Sequence, residues 1–167
     1  MTRRPSANQQ TRSELPMETY TQFSVFLANK PGMLSQLFRE LAKAKINVTS
    51  LAMMDSVEHG VLRLIPDDPK EAREVFKRLN VPVSESQVLG VTLANRPGAA
   101  ADLCERLSQA HINIGYMYCT TGAKGGKTLA VLRVPDIKKA MKVLDGSRTR
   151  GKDMKVKLRR PTPARRR

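Results

Sequence analysis

Residues 27–32 read Leu27-Ala28-Asn29-Lys30-Pro31-Gly32, and residues 93–98 read Leu93-Ala94-Asn95-Arg96-Pro97-Gly98. The second hexamer follows the first by 66 residues, and the likeness runs well past it. Residues 25–48 laid over 91–114 without a gap share 11 of 24 positions, among them Leu37/Leu103, Leu41/Leu107, Ala44/Ala110, Ile46/Ile112 and Asn47/Asn113. A repeat of about 65 residues is then the unit of the fold. A unit that small buries a marginal core alone, so two of them should share an interface.

Each unit reads the same way outward from its hexamer. Before the first, Phe23, Val25 and Leu27 alternate along a strand. After it, Leu34, Leu37, Phe38, Leu41 and Ala42 recur with the period of an amphipathic helix. Residues 46–55 and 60–65 then predict a hairpin. Asp68 and Pro69 form a helix start, and Ala72, Val75, Phe76 and Leu79 continue it. Residues 83–93 alternate over one long stretch, read as the last strand of unit one running into the first strand of unit two. The second copy repeats the order through Leu103, Cys104 and Leu107, a hairpin over 112–134, and a helix capped by Asp136. Met154, Val156 and Leu158 alternate with basic residues and predict a closing strand.

Two βαββαβ units in tandem predict an α+β, ferredoxin-like architecture, with antiparallel sheet and helices on one face. The expected organisation is a disordered leader over 1–19, a first unit over 20–86, a second over 87–159, and a free basic tail over 160–167.

Charge is concentrated at the end of the chain. The formal net charge is +15, and residues 147–167 carry ten Lys or Arg against Asp153 alone. Such a run releases counterions from phosphates, so weak, non-specific nucleic-acid binding is one reading of the tail. No apolar run suits a membrane span and no signal peptide is read at the start, so the expected compartment is the cytoplasm.

Strand, Asn-(Lys/Arg)-Pro-Gly turn, amphipathic helix, Ile-Asn-(Val/Ile) and hairpin together resemble the ACT domain. The chain as a whole resembles small stand-alone proteins made of two such domains, with the run from Asp55 through Pro69 and Asn113-Ile114-Gly115-Tyr116-Met117-Tyr118 as the two most recognisable stretches. The resemblance implies a non-enzymatic regulatory protein that binds an amino acid where two such domains meet, and it implies a homodimer. It places Asn29, Lys30, Pro31, Gly32, Met33, Leu34 and Asn47 around the ligand in the first copy, and Asn95, Pro97, Gly98, Ala99 and Asn113 in the second. In the serine-sensing members a His precedes the turn Asn by two positions, where this chain has Leu27 and Leu93. That departure counts against serine. An enzyme partner in trans is also implied, with the regulatory subunit of acetolactate synthase as one form of it.

The turn also makes chemical sense without the resemblance. An Asn amide offers an acceptor to an ammonium and a donor to a carboxylate, and the N–H groups at a helix start favour an anion. Asparagine is equally at home in a turn with no ligand. Gly122-Ala123-Lys124-Gly125-Gly126-Lys127-Thr128 is one residue short of a phosphate-binding loop and lies between strands, so it reads as a hairpin loop. Cys104, His111 and Cys119 lack the spacing of a zinc site, and core packing is the expected role of both cysteines. Tyr116 and Tyr118 fall on one strand face, to pack or line an interface. No catalytic constellation, metal site or cofactor is expected.

Overall fold

The computed structural model describes residues 15–54, 59–121 and 127–146. Its elements are β1 (Met17–Ala28), α1 (Met33–Lys43), β2 (Val48–Met54), β3 (His59–Pro66), α2 (Pro69–Arg78), β4 (Val83–Ala94), α3 (Ala99–Gln109), β5 (Tyr116–Thr121), β6 (Lys127–Arg133) and α4 (Ile137–Leu144). The strands form one six-stranded sheet in the order β2-β3-β1-β4-β6-β5, antiparallel at every step.

Two long strands hold the centre. β1 and β4 pair from Met17↔Val91 to Val25↔Val83. With a repeat spacing of 66, Thr21 falls opposite Gln87, its own counterpart in the other copy. The local two-fold relating the units therefore passes through this pair, where Gln87 Nε2 donates to Thr21 Oγ1 at 3.0 Å.

The long strands also complete each other's units. The first part of β4 lies beside β1 as the fourth strand of unit one, and residues 17–22 of β1 lie beside residues 86–91 at the start of unit two. The sequence predicts a disordered leader over 1–19 and a strand from Phe23, since Glu18, Thr19, Thr21 and Gln22 show no apolar alternation; the strand instead begins at Met17. Yet Leu15 and Met17 pack against the second core. The expected strand through Met154, Val156 and Leu158 lies outside the described residues, as do the basic tail and the loop at 122–126. The edge of β4 that such a closing strand would flank is held by residues 17–22.

Each unit has its own core between sheet and helices. Phe23, Val25, Leu27, Leu37, Leu41, Leu62, Leu64 and Phe76 anchor the first, with the Phe23 and Phe76 rings 5.1 Å apart at 59°. Leu89, Val91, Leu93, Leu103, Leu107, Leu132 and Leu144 anchor the second. Leu34, expected on the core stripe of α1, is instead exposed. Asp68 and Asp136 cap α2 and α4 as their sequence positions imply, accepting from Lys70 and Glu71 and from Lys139. Lys45, Asn80, His111 and Gly146, just past the four helix ends, all have positive φ. That left-handed residue turns the chain back so that following N–H groups reach the last carbonyls. His111 thus has a structural role.

Gly90 is a packing requirement. A β-carbon there would lie 2.3 Å from Tyr20 Cε2 and 3.2 Å from Leu129 Cδ1. We expect Gly90→Ala to destabilise the fold by about 1–3 kcal/mol, the usual cost of overpacking. Urea unfolding followed by circular dichroism measures it.

Candidate functional site

Both turns adopt one conformation. The Lys30 N–H donates to the Ala28 carbonyl at 2.8 Å, and the Arg96 N–H to the Ala94 carbonyl at 2.9 Å. A tight three-residue turn is therefore centred on each asparagine. Gly32 (φ 90°) and Gly98 (φ 87°) follow in the left-handed region and serve as the N-caps of α1 and α3. Pro31 and Pro97 consequently sit one step ahead of the cap and not at the first helical position. The backbone conformation alone demands glycine at these caps.

Neither helix start is capped by a side-chain hydrogen bond. The first N–H of each helix folds back on the turn, Met33 donating to the Lys30 carbonyl at 3.4 Å and Ala99 to the Arg96 carbonyl at 3.3 Å, which leaves the N–H groups that follow for whatever occupies the turn. Asn29, Lys30, Pro31, Gly32 and Leu34 are exposed and Met33 is half-buried; Asn95, Pro97 and Gly98 are exposed and Ala99 is half-buried. In chemical terms the turn presents an amide, a row of N–H donors and the positive end of a helix dipole, a set that suits a carboxylate.

The two turns differ in charge. Arg96 folds back over its own turn, donating through Nη2 to Asp102 Oδ2 at 2.7 Å and through Nη1 to the Pro97 carbonyl at 3.1 Å. Asp102 lies in the first turn of α3, whereas α1 has no acid there. The counterparts in unit one are Lys30 and Gln36. The second turn therefore already holds a carboxylate beside its helix start, and the first does not. The sequence reading overlooked this pair, although the change from Gln36 to Asp102 is visible in the aligned repeats.

The chain does not bring its four asparagines together. β1 and β4 run antiparallel, so the turns that follow them lie at opposite ends of the central pair. Asn47 and Asn113 are exposed beyond the far ends of α1 and α3. They do not close those helices, a task performed by Lys45 with Ile46 and by His111 with Ile112. Asn47 instead exchanges backbone contacts with Asp67: its N–H donates to Asp67 Oδ1 at 2.9 Å, and its carbonyl accepts from the Asp67 N–H at 3.0 Å.

Beside the first turn, Leu27, Met33, Gln36, Leu37, Leu79 and Val81 line a dimple of about 30 Å³. That is the space of one water rather than of an amino acid. A larger open groove of about 460 Å³ is lined by Leu15, Pro16, Met17, Met141, Lys142 and Asp145 and by none of the turn residues; the Pro16 carbonyl on its wall accepts from the Thr92 N–H, three residues before Asn95. The chemistry of the turn, and not cavity size, marks the candidate site. Among the described residues no group of three potential metal ligands occurs, and no helix is long and apolar enough to cross a membrane. Cys104 is half-buried and Cys119 exposed, so Cys119 departs from its expected core role. Partial desolvation of the sulfur, though the residue as a whole is exposed, and secondarily the neighbouring Cys104, push the Cys119 thiol above its ordinary range.

Comparison with known proteins places this geometry. A family model described as an ACT domain pair matches residues 18–148. An aspartokinase of Corynebacterium glutamicum is 29% identical over 104 residues, covering 53% of this chain and 25% of the aspartokinase. The chain thus spans about a quarter of that relative. Among solved structures, protein BT0572 from Bacteroides thetaiotaomicron superposes with a TM-score of 0.70 at 30% identity, over 80% of this chain and 89% of that one. The ligand-free regulatory subunit of aspartate kinase from Thermus thermophilus gives 0.58 at 12% identity, over 79% and 95%, a likeness of fold.

Gly32 has no atom within 4 Å of an added β-carbon, so Gly32→Ala isolates the conformational cost. We expect a loss of roughly 1–2 kcal/mol, the left-handed penalty of an L-residue, read by chemical denaturation. A much smaller loss would mean that the turn relaxes to another conformation.

Proposed function

The chain belongs to the family of ACT domain pairs, and we propose that it is a non-catalytic regulatory module that binds a free amino acid at the Asn29–Gly32 turn. The observation that carries this reading is the duplicated turn itself, with its asparagine and uncapped helix start. An amino acid is a zwitterion. The Asn29 amide can accept from its ammonium and donate to its carboxylate, while the first N–H groups of α1 add donors for the carboxylate.

The small dimple beside the turn supports a pocket finished by a second wall. We assign that wall to another copy of the chain, with Asn47 or its neighbours reaching in, so a homodimer is the working form. The second turn is the weaker site, because Asp102 opposes an incoming carboxylate and Arg96 is already engaged.

As partner in trans we propose a cytoplasmic enzyme of amino-acid biosynthesis. The likeness to an aspartokinase and to a regulatory subunit of aspartate kinase supports testing aspartate kinase ahead of acetolactate synthase. Co-purification with the catalytic chain separates the two.

Calorimetry against the twenty amino acids tests the ligand. Hydrogen bonds to a charged group contribute roughly 1.5–3 kcal/mol, and ~1.4 kcal/mol is tenfold in affinity. We expect Asn29→Ala to weaken binding roughly 10- to 100-fold with its circular dichroism unchanged, and Asn95→Ala to matter less. If a wild-type ligand is found and neither substitution alters its affinity, the site lies elsewhere. Light scattering should return about twice the chain mass; a strict monomer in the presence of ligand would remove the proposed second wall.

A further inference from the structure

The sheet face turned away from the helices is closed by the chain itself. β2 and β5 stand at opposite ends of the strand order, yet Ser50 Oγ and Thr120 Oγ1 are 2.5 Å apart. The sheet must therefore roll until its two edges touch. Inside the roll, Gln22 of β1 is fully buried. Both ends of its amide are satisfied by the second unit: Nε2 donates to the Tyr116 hydroxyl at 2.6 Å, and the Tyr118 hydroxyl donates to Oε1 at 3.0 Å. The Arg63 guanidinium stacks 3.7 Å from the Tyr116 ring centre.

The composition of this contact differs from that of the cores. Among the described residues only Ile65, Val88 and Val131 form its buried apolar part, against eleven buried side chains in each helix-side core. Polar partners regain water when such a face opens, whereas a core loses its apolar burial. Elements with few buried apolar contacts open at lower free energy than the cores do. Arg63 acts in both senses: its stacking on Tyr116 favours the closed contact, while its Nε is buried with no hydrogen-bond partner among the described residues.

From this we propose that Gln22, Tyr116 and Tyr118 form a latch that holds β5 against the first unit and releases it in a partial opening, both helix-side cores staying intact. The closed state hides the inner face of the sheet, and the open state presents it. Gln22 and the candidate turn share β1, so opening and ligand binding bear on one strand. The latch itself rests on the rolled sheet alone and not on the ligand reading.

Thiol labelling of the full chain tests it, with both native cysteines replaced (Cys104→Ser, Cys119→Ser). Val88→Cys places a probe under the latch, and Ala72→Cys places one in the first core; both positions are fully buried. The expected result is that an excess of a thiol reagent modifies Val88→Cys at least tenfold faster than Ala72→Cys. Tyr118→Phe removes a single hydroxyl and should accelerate Val88→Cys severalfold while leaving Ala72→Cys unchanged. Gln22→Ala should do the same more strongly, with circular dichroism confirming the fold. Equal labelling of the two probes would mean that the face opens only by global unfolding and would overturn the latch. So would a Val88→Cys rate indifferent to Tyr118→Phe.

Discussion

The antiparallel pairing of β1 with β4 is the constraint on which everything else depends. It joins two units that would each be marginal, and it sets their relation through a single register. Because Thr21 faces Gln87, the repeat is converted into a local two-fold. Each unit then finds its fourth strand in the other's first. The same pairing sends the two asparagine turns to opposite ends of the molecule. No site within one chain can then be built from both turns together.

The fold was legible because its signals are local and occur twice. Helix periodicity around Leu37 and Leu41, the caps at Asp68 and Asp136, and the unbroken alternation over 83–93 each predict an element, and the repeat repeats the inference. Residues 17–22 escaped for a physical reason. Their environment is set by β4, some seventy residues away, and Gln22 is buried by tyrosines from the far edge of the sheet. A polar side chain satisfied by tertiary partners leaves no periodic trace. Cys119 misled in the opposite sense: its alternation is that of a strand, but an edge strand covers only part of what it carries.

The turn was legible as a motif and illegible as an environment. Sequence shows that Asn29 and Asn95 are equivalent, and the structure shows identical backbones at both. What separates them is a side-chain pairing six residues long, Arg96 with Asp102, that answers the helix dipole from within. An exposed ion pair of this kind contributes little to stability, roughly 0–1 kcal/mol. Its effect is on what else can approach. Duplication has thus kept the scaffold symmetric while the surfaces diverged.

The exchange of half-strands also bears on how the chain reaches this state during synthesis. Unit one needs the start of β4 before its sheet is complete, and unit two needs residues that left the ribosome before any of its own. The two halves therefore share strands, in contrast to domains joined by a linker. Pairing across this separation is slow to form, since loop closure precedes the gain in contacts. Until β4 emerges, β1 waits with an unpaired edge, and that interval is when the nascent chain is most open to pairing with a neighbour.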